Sequence, residues 1–238
     1  MRDSPAAAIH PCPQSPRYWT HRGQTQVLLG GSADDNLFQM PGVEGQLDLL
    51  VQNGGNFLRN TMSDRPDLGY EIKAFGQRDD GLYDLQTWNE EYWTRFERFL
   101  TGTNERGIVV QIEMWDRFDH SRGPWLHDPF NPANNINYDA EESGLASDYP
   151  AHPGQNRQPF FYTVPQLQDN QILLAFQKAF VDRVLSYTLQ HDHILYCVDN
   201  ETSGDPAWAS FWATYITDRA QAAGVAIHVT EMWDHWDV

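Results

Sequence analysis

Carboxylates recur at one kind of position in this sequence, directly after short apolar runs. Asp34 and Asp35 follow the run 26–29, Glu113 and Asp116 follow 108–112, Asp199-Asn200-Glu201 follow 193–198, and Glu231 and Asp234 follow 226–230. Arg59 closes the run 56–59 and adds a fixed cation. Carboxyl groups crowded together repel one another, so some pKa values rise and one group keeps a proton near neutral pH. That is general-acid chemistry, typically worth about 10²–10⁴ in rate. Most Asp and Glu side chains cap helices or face water, a role that suits Asp34, Asp35 and Asp234 better than Glu201.

Such a set works only if the chain gathers it in one place. The five runs are mostly apolar on both faces, as expected of buried parallel strands rather than of a half-exposed antiparallel sheet. Helical stripes alternate with them. Trp88, Tyr92, Trp93, Phe96, Phe99 and Leu100 recur at three-to-four spacing, with Thr87 and Glu90 as a capping box and Gly107 as a stop. Ile172, Leu173, Phe176, Phe180, Val184 and Leu185 form a second stripe, and Trp208, Phe211, Trp212, Tyr215 and Ile216 a third, closed by Gly224. A shorter stripe, Leu47, Leu49, Leu50 and Val51, ends at Gly54-Gly55. Strands alternating with helices imply right-handed crossovers and an α/β fold. Ligands in such folds gather at the carboxyl ends of the strands, where these carboxylates fall.

Residues 115–165 differ: rich in Pro, Asn, Asp and Gly and weakly periodic, they read as a long site-building excursion beyond the third strand. Glu113-Met114-Trp115-Asp116 is echoed by Glu231-Met232-Trp233-Asp234, as two equivalent strand ends would be. Trp115, Trp125, Trp233 and Trp236 sit in strand-end loops, where flat rings could stack on a ligand, whereas Trp93 and Trp212 follow the buried helix stripes.

Composition narrows the partners. The 238 residues carry 16 Lys and Arg against 33 Asp and Glu, a net charge of -17, which repels phosphate backbones and anionic lipids. Neutral or cationic ligands remain, and neither nucleic acid nor a membrane is expected as a partner. A hydrophobic content of 40% supports a sizeable core, and no apolar run approaches the roughly 18 residues that span a bilayer. Cys12 and Cys197 read as free thiols. His127, His152, His191, His193 and His235 lack metal spacing and read as ordinary surface or loop residues, and no metal or other cofactor is expected. Neither a phosphate-cradling glycine loop nor a Gly-x-Ser-x-Gly elbow is present. The proline-rich residues 1–16 read as a flexible arm, and 17–238 as the folded domain. The opening residues lack the order of a signal peptide, which leaves the compartment open between cytoplasmic and secreted.

Asn200-Glu201 at the end of the fourth βα strand, with Arg59 at the end of the second, resembles the retaining glycoside hydrolases of clan A, the cellulase-like (β/α)8 barrels. The segment Arg17-Tyr18-Trp19-Thr20-His21-Arg22-Gly23, continuing through Gly31, looks like the hairpin that feeds their first strand. The resemblance spans about residues 17–238. It implies a TIM-type barrel, with Glu201 as acid/base, Asn200 orienting substrate and nucleophile, and Arg59 as a supporting cation. It also implies a substrate, a neutral oligo- or polysaccharide, with Trp115, Asp116, Trp233 and Asp35 lining the site. The clan's nucleophile is a Glu ending the seventh strand, and the chain reaches Val238 just beyond the fifth. Eight units normally take about 250 residues. The chain is therefore expected to be the N-terminal part of a longer barrel, with about five βα units. Glu113 and Glu231 are the candidates for a second carboxylate, which in a retaining enzyme lies about 5–5.5 Å from the first.

Two other readings stay open. In a divalent-metal barrel of the sugar-isomerase type, Glu113, Glu201 and Glu231 would ligate the ion. In a non-catalytic barrel fragment the aromatic loops would bind carbohydrate without turnover, and its exposed sheet edges would demand covering or association.

Overall fold

The computed structural model describes residues 8–66, 68–153 and 157–233. It opens with an antiparallel meander: β1 (His10–Pro11), β2 (Trp19–His21) and β3 (Gln24–Gln26). The loose arm expected over 1–16 is thus docked from residue 8 onward. Ile9, 3% exposed, packs with Val109 and Leu195, and its N–H donates to the Asp192 carbonyl at 2.8 Å. Arg22 and His21 also hold the Asp192 carboxylate, at 2.7 and 3.2 Å.

Helix α1 (Val43–Gln52) leads to strand β4 (Phe57–Thr61). A hairpin, β5 (Phe75–Gln77) and β6 (Tyr83–Trp88), precedes α2 (Glu90–Glu105) and strand β7 (Val109–Asp116). The long excursion contains the short helices α3 (Arg122–Trp125) and α4 (Ala140–Ser143). Helix α5 (Gln171–Thr188), strand β8 (Ile194–Asn200), helix α6 (Pro206–Ala222) and strand β9 (Val229–Thr230) follow.

Strands β4, β7, β8 and β9 form one parallel sheet in sequence order, the arrangement of successive right-handed βαβ units. The expected first strand, 26–29, is reduced: Gln26 belongs to the meander, and Val27 and Leu29 are exposed. What remains is a single parallel bridge from Gly30 to Phe57. The Asn56 side chain substitutes for the missing ladder, accepting from Leu29 N–H at 2.8 Å and donating to the Val27 carbonyl at 3.0 Å. Gly30 is required here because a Cβ would lie 1.9 Å from the Phe57 carbonyl oxygen.

The helix stripes bury as the spacing predicts. Tyr92, Trp93, Phe96, Phe99 and Leu100 of α2, and Trp208, Trp212 and Ile216 of α6, are at most 1% exposed in one core with Val110, Ile112 and Val198. Two details differ. The α2 cap is Asn89, whose side chain accepts from Glu91 N–H at 3.2 Å, while Thr87 lies in β6. Ile172 stays exposed at the start of α5. His193 is fully buried rather than superficial: its ring meets the Thr103 hydroxyl at 3.0 Å, and burial pushes its pKa down to about 3.

Candidate active site

Side-chain alternation along β7 and β8 decides what reaches the site. Val110, Ile112 and Met114 join the helix-facing core, whereas Val109 packs with Ile9 and Leu195 and Gln111 donates to Thr230 at 3.0 Å. Glu113 continues on that inner side and meets Arg59 of β4. Strict alternation would then put Trp115 inside and Asp116 outside. The strand ends reverse this. Trp115 turns to the helix side, with ring centroids 5.4 Å from Trp212 and 5.5 Å from Phe180. Its neighbour Asp199 also turns that way, accepting from Trp208 Nε1–H at 2.8 Å. Asp116 and Asn200, paired in the ladder, turn inward together.

Trp115 is therefore a core residue, 3% exposed, and not a sugar platform. Trp125 is fully buried as well, donating to the Ala146 carbonyl at 2.9 Å. Trp233 is 48% exposed, and a parallel bridge to Thr202 sets it beside the residue following Glu201. Trp236 and Asp234 lie outside the described residues.

The inner residues form one polar chain across the strand ends. Arg59 donates from Nε to Glu113 and from a terminal nitrogen to Asn200 Oδ1 at 2.7 Å. Asn200 Nδ2 donates to Asp116 Oδ2 at 3.2 Å. Arg65, which the sequence reading did not single out, donates to the same Asp116 oxygen at 3.1 Å and to Asp35 at 3.0 Å, and pairs with Asp119 at 3.3 Å. Asp35 is the open end of the chain, its side chain 58% exposed. Asp116, expected to line the site, is 2% exposed and lies buried behind Asn200. Nearby, the Tyr70 hydroxyl donates to Asp34.

Glu201 follows Asn200 in an exposed turn with φ of +39°, a left-handed conformation uncommon outside glycine and a local strain. The Thr202 N–H donates to the Met232 carbonyl at 2.9 Å, tying this turn to the chain after β9. Glu201 lies near enough to Arg59 for its charge to help hold the guanidinium proton, secondary to the Glu113 hydrogen bond. Arg59, Asn200 and Glu201 thus share the carboxyl end of the sheet.

The two other carboxyls differ from it. Glu113 is fully buried, and burial pushes its pKa up while Arg59 pulls it back. Glu231 has both carboxyl oxygens buried with no hydrogen-bond partner among the described residues, and burial, aided by the Asp199 charge, pushes it up to about 9. Asp199 is raised to about 7 by burial despite Arg117. Among the described residues no three His, Cys, Asp or Glu side chains are grouped so as to hold a metal ion. No described helix is long and apolar enough to cross a membrane.

No protein-family model matches the sequence, and no curated protein is similar to it by sequence. Solved structures do share its fold. A glycoside hydrolase family 5 mannosidase from Rhizomucor miehei, in complex with mannosyl-fructose, superposes with a TM-score of 0.62 at 15% identity over 97% of this chain and 56% of that one. An endo-1,4-β-mannanase from the same organism gives 0.54 at 11% identity, over 90% of this chain and 58% of its own. A family 5 glycoside hydrolase from Bacteroides vulgatus gives 0.51 at 12%, over 95% and 40%. The chain spans about half the length of these structures, and its fold is a partial TIM-type barrel.

Proposed function

We propose that this chain is the acid/base-bearing part of a glycoside hydrolase that cleaves a neutral oligo- or polysaccharide by a two-carboxylate retaining mechanism. The observation that carries the reading is the contact of Arg59 with Asn200, which fixes the residue before Glu201 at the carboxyl end of the sheet. In this reading the exposed Glu201 gives its proton to the departing glycosidic oxygen as the sugar ring takes on oxocarbenium character. Asn200 spends one Nδ2 hydrogen on Asp116, leaving the other for a sugar hydroxyl. Trp233, 48% exposed beside this strand end, would contribute aromatic contact to a bound sugar, and Asp35 an exposed acceptor.

A second reading, carbohydrate binding without turnover, is favoured by the state of the other carboxyls. Glu113 is buried against Arg59, and Glu231 holds its proton at neutral pH, so neither is poised as a nucleophile. Mannohexaose, suggested by the mannosidase and the mannanase that share the fold, and cellohexaose, a second neutral oligosaccharide, are the probes. Calorimetry and product chromatography on one sample separate the readings. Binding with shortened products supports hydrolysis, binding without them supports the second reading, and no binding to either sugar overturns both.

A further inference from the structure

The Asn200 amide is held from both sides by partners of opposite hydrogen-bonding character. A guanidinium only donates and a carboxylate only accepts, so Arg59 must face Oδ1 and Asp116 must face Nδ2. The orientation of the amide thus depends on Asp116 staying ionised. Asp116 is buried, which opposes ionisation. Its Oδ1 accepts the Phe118 backbone N–H at 2.8 Å, while its Oδ2 carries both Asn200 and Arg65. Arg65, with its side chain 12% exposed, supplies the cation.

We propose that Arg65 is a positioning residue for the Asn200-Glu201 strand end: by holding Asp116 as a carboxylate it fixes which way the Asn200 amide points. Its consequence for sugar recognition rests on the glycosidase reading, whereas the clamp itself does not. The groups facing Asp116 are Arg65 and Asp35 from the segments beside β4, Glu113 and Asp119 from its own strand and loop, and Asn200 and Asp199 from β8. Four of these six are carboxylates, and Arg65 is the cation in direct contact. Without it Asp116 takes up a proton at higher pH and presents an O–H to Nδ2, two donors face to face. Turning the amide over relieves that clash only by setting Nδ2 against Arg59, again donor against donor.

The test uses the full chain labelled with nitrogen-15 asparagine, the Asn200 side-chain NH2 signals being identified by their loss in Asn200→Asp. In the unsubstituted protein these signals should hold their shifts down to mildly acidic pH. In Arg65→Met their pH-dependent change should move upward by at least one pH unit, while Arg65→Lys stays nearer the unsubstituted curve. Coincident curves for folded Arg65→Met and the unsubstituted protein would overturn the proposal. Should Arg65→Met not fold, Asp116→Asn decides: the titration of the Asn200 signals should vanish, and its persistence would overturn the clamp. The readout needs no substrate, so a protein that fails to cleave sugars leaves it interpretable.

Discussion

The Arg59 guanidinium reaches across the end of β7 to hydrogen-bond the side-chain oxygen of Asn200 at 2.7 Å, joining two strands that do not touch in the ladder. The same guanidinium donates to Oε1 of the fully buried Glu113, whose Oε2 has no hydrogen-bond partner among the described residues. Removing Arg59, itself 38% exposed, leaves the buried Glu113 without its cation, at a cost of up to about 3 kcal/mol. Arg59→Met should lose stability on that order in urea denaturation. Adding Glu113→Gln to it should recover part of the loss, because the residual buried charge is gone. A double variant no more stable than Arg59→Met would contradict the pairing.

Trp115 and Trp233 occupy equivalent places in the echoed motif, but one is buried and the other open. Trp115→Ala should cost about 3–5 kcal/mol, as expected when a packed indole is removed. Trp233→Ala should change stability by no more than about 0.5 kcal/mol and weaken oligosaccharide binding about tenfold. Melting curves and calorimetry on the two variants check both halves of the contrast.

That contrast also marks what the sequence made legible. The helix stripes, the parallel strand order and the gathering of Arg59, Glu113, Asp116 and Asn200 follow from periodicity and from the strand-end rule. Trp115 did not, because the reversal of alternation after Met114 is set by tertiary packing against Phe180 and Trp212. The meander around Ile9 was masked by its prolines, and Arg65 by its place in a loop with no periodic signal. Only the acidic runs around it, Asp34-Asp35 and Asp116 to Asp119, hinted that a cation was needed.

Glu231 and Asp199 should make stability depend on pH. Both titrate higher in the folded chain, at about 9 and about 7, than an unfolded carboxyl does, at about 4. The folded state therefore binds more protons between those values, and the contribution present at low pH is lost as pH rises toward 9. The expected slope is up to about 1.4 kcal/mol per pH unit for each proton. Glu231→Gln, neutral throughout, should flatten the decline between pH 6 and pH 9. An unchanged slope in urea titrations across that range would show that Glu231 is ionised in the folded protein.

The most direct measurement of the central claim compares Glu201→Gln with the unsubstituted protein on two substrates differing only in leaving group. If Glu201 donates the proton, cleavage of an oligosaccharide should fall by about 10²–10⁴, while cleavage of the matching dinitrophenyl glycoside, whose leaving group needs no proton, should fall far less. Equal losses on both substrates, or no loss on the oligosaccharide, would contradict the assignment.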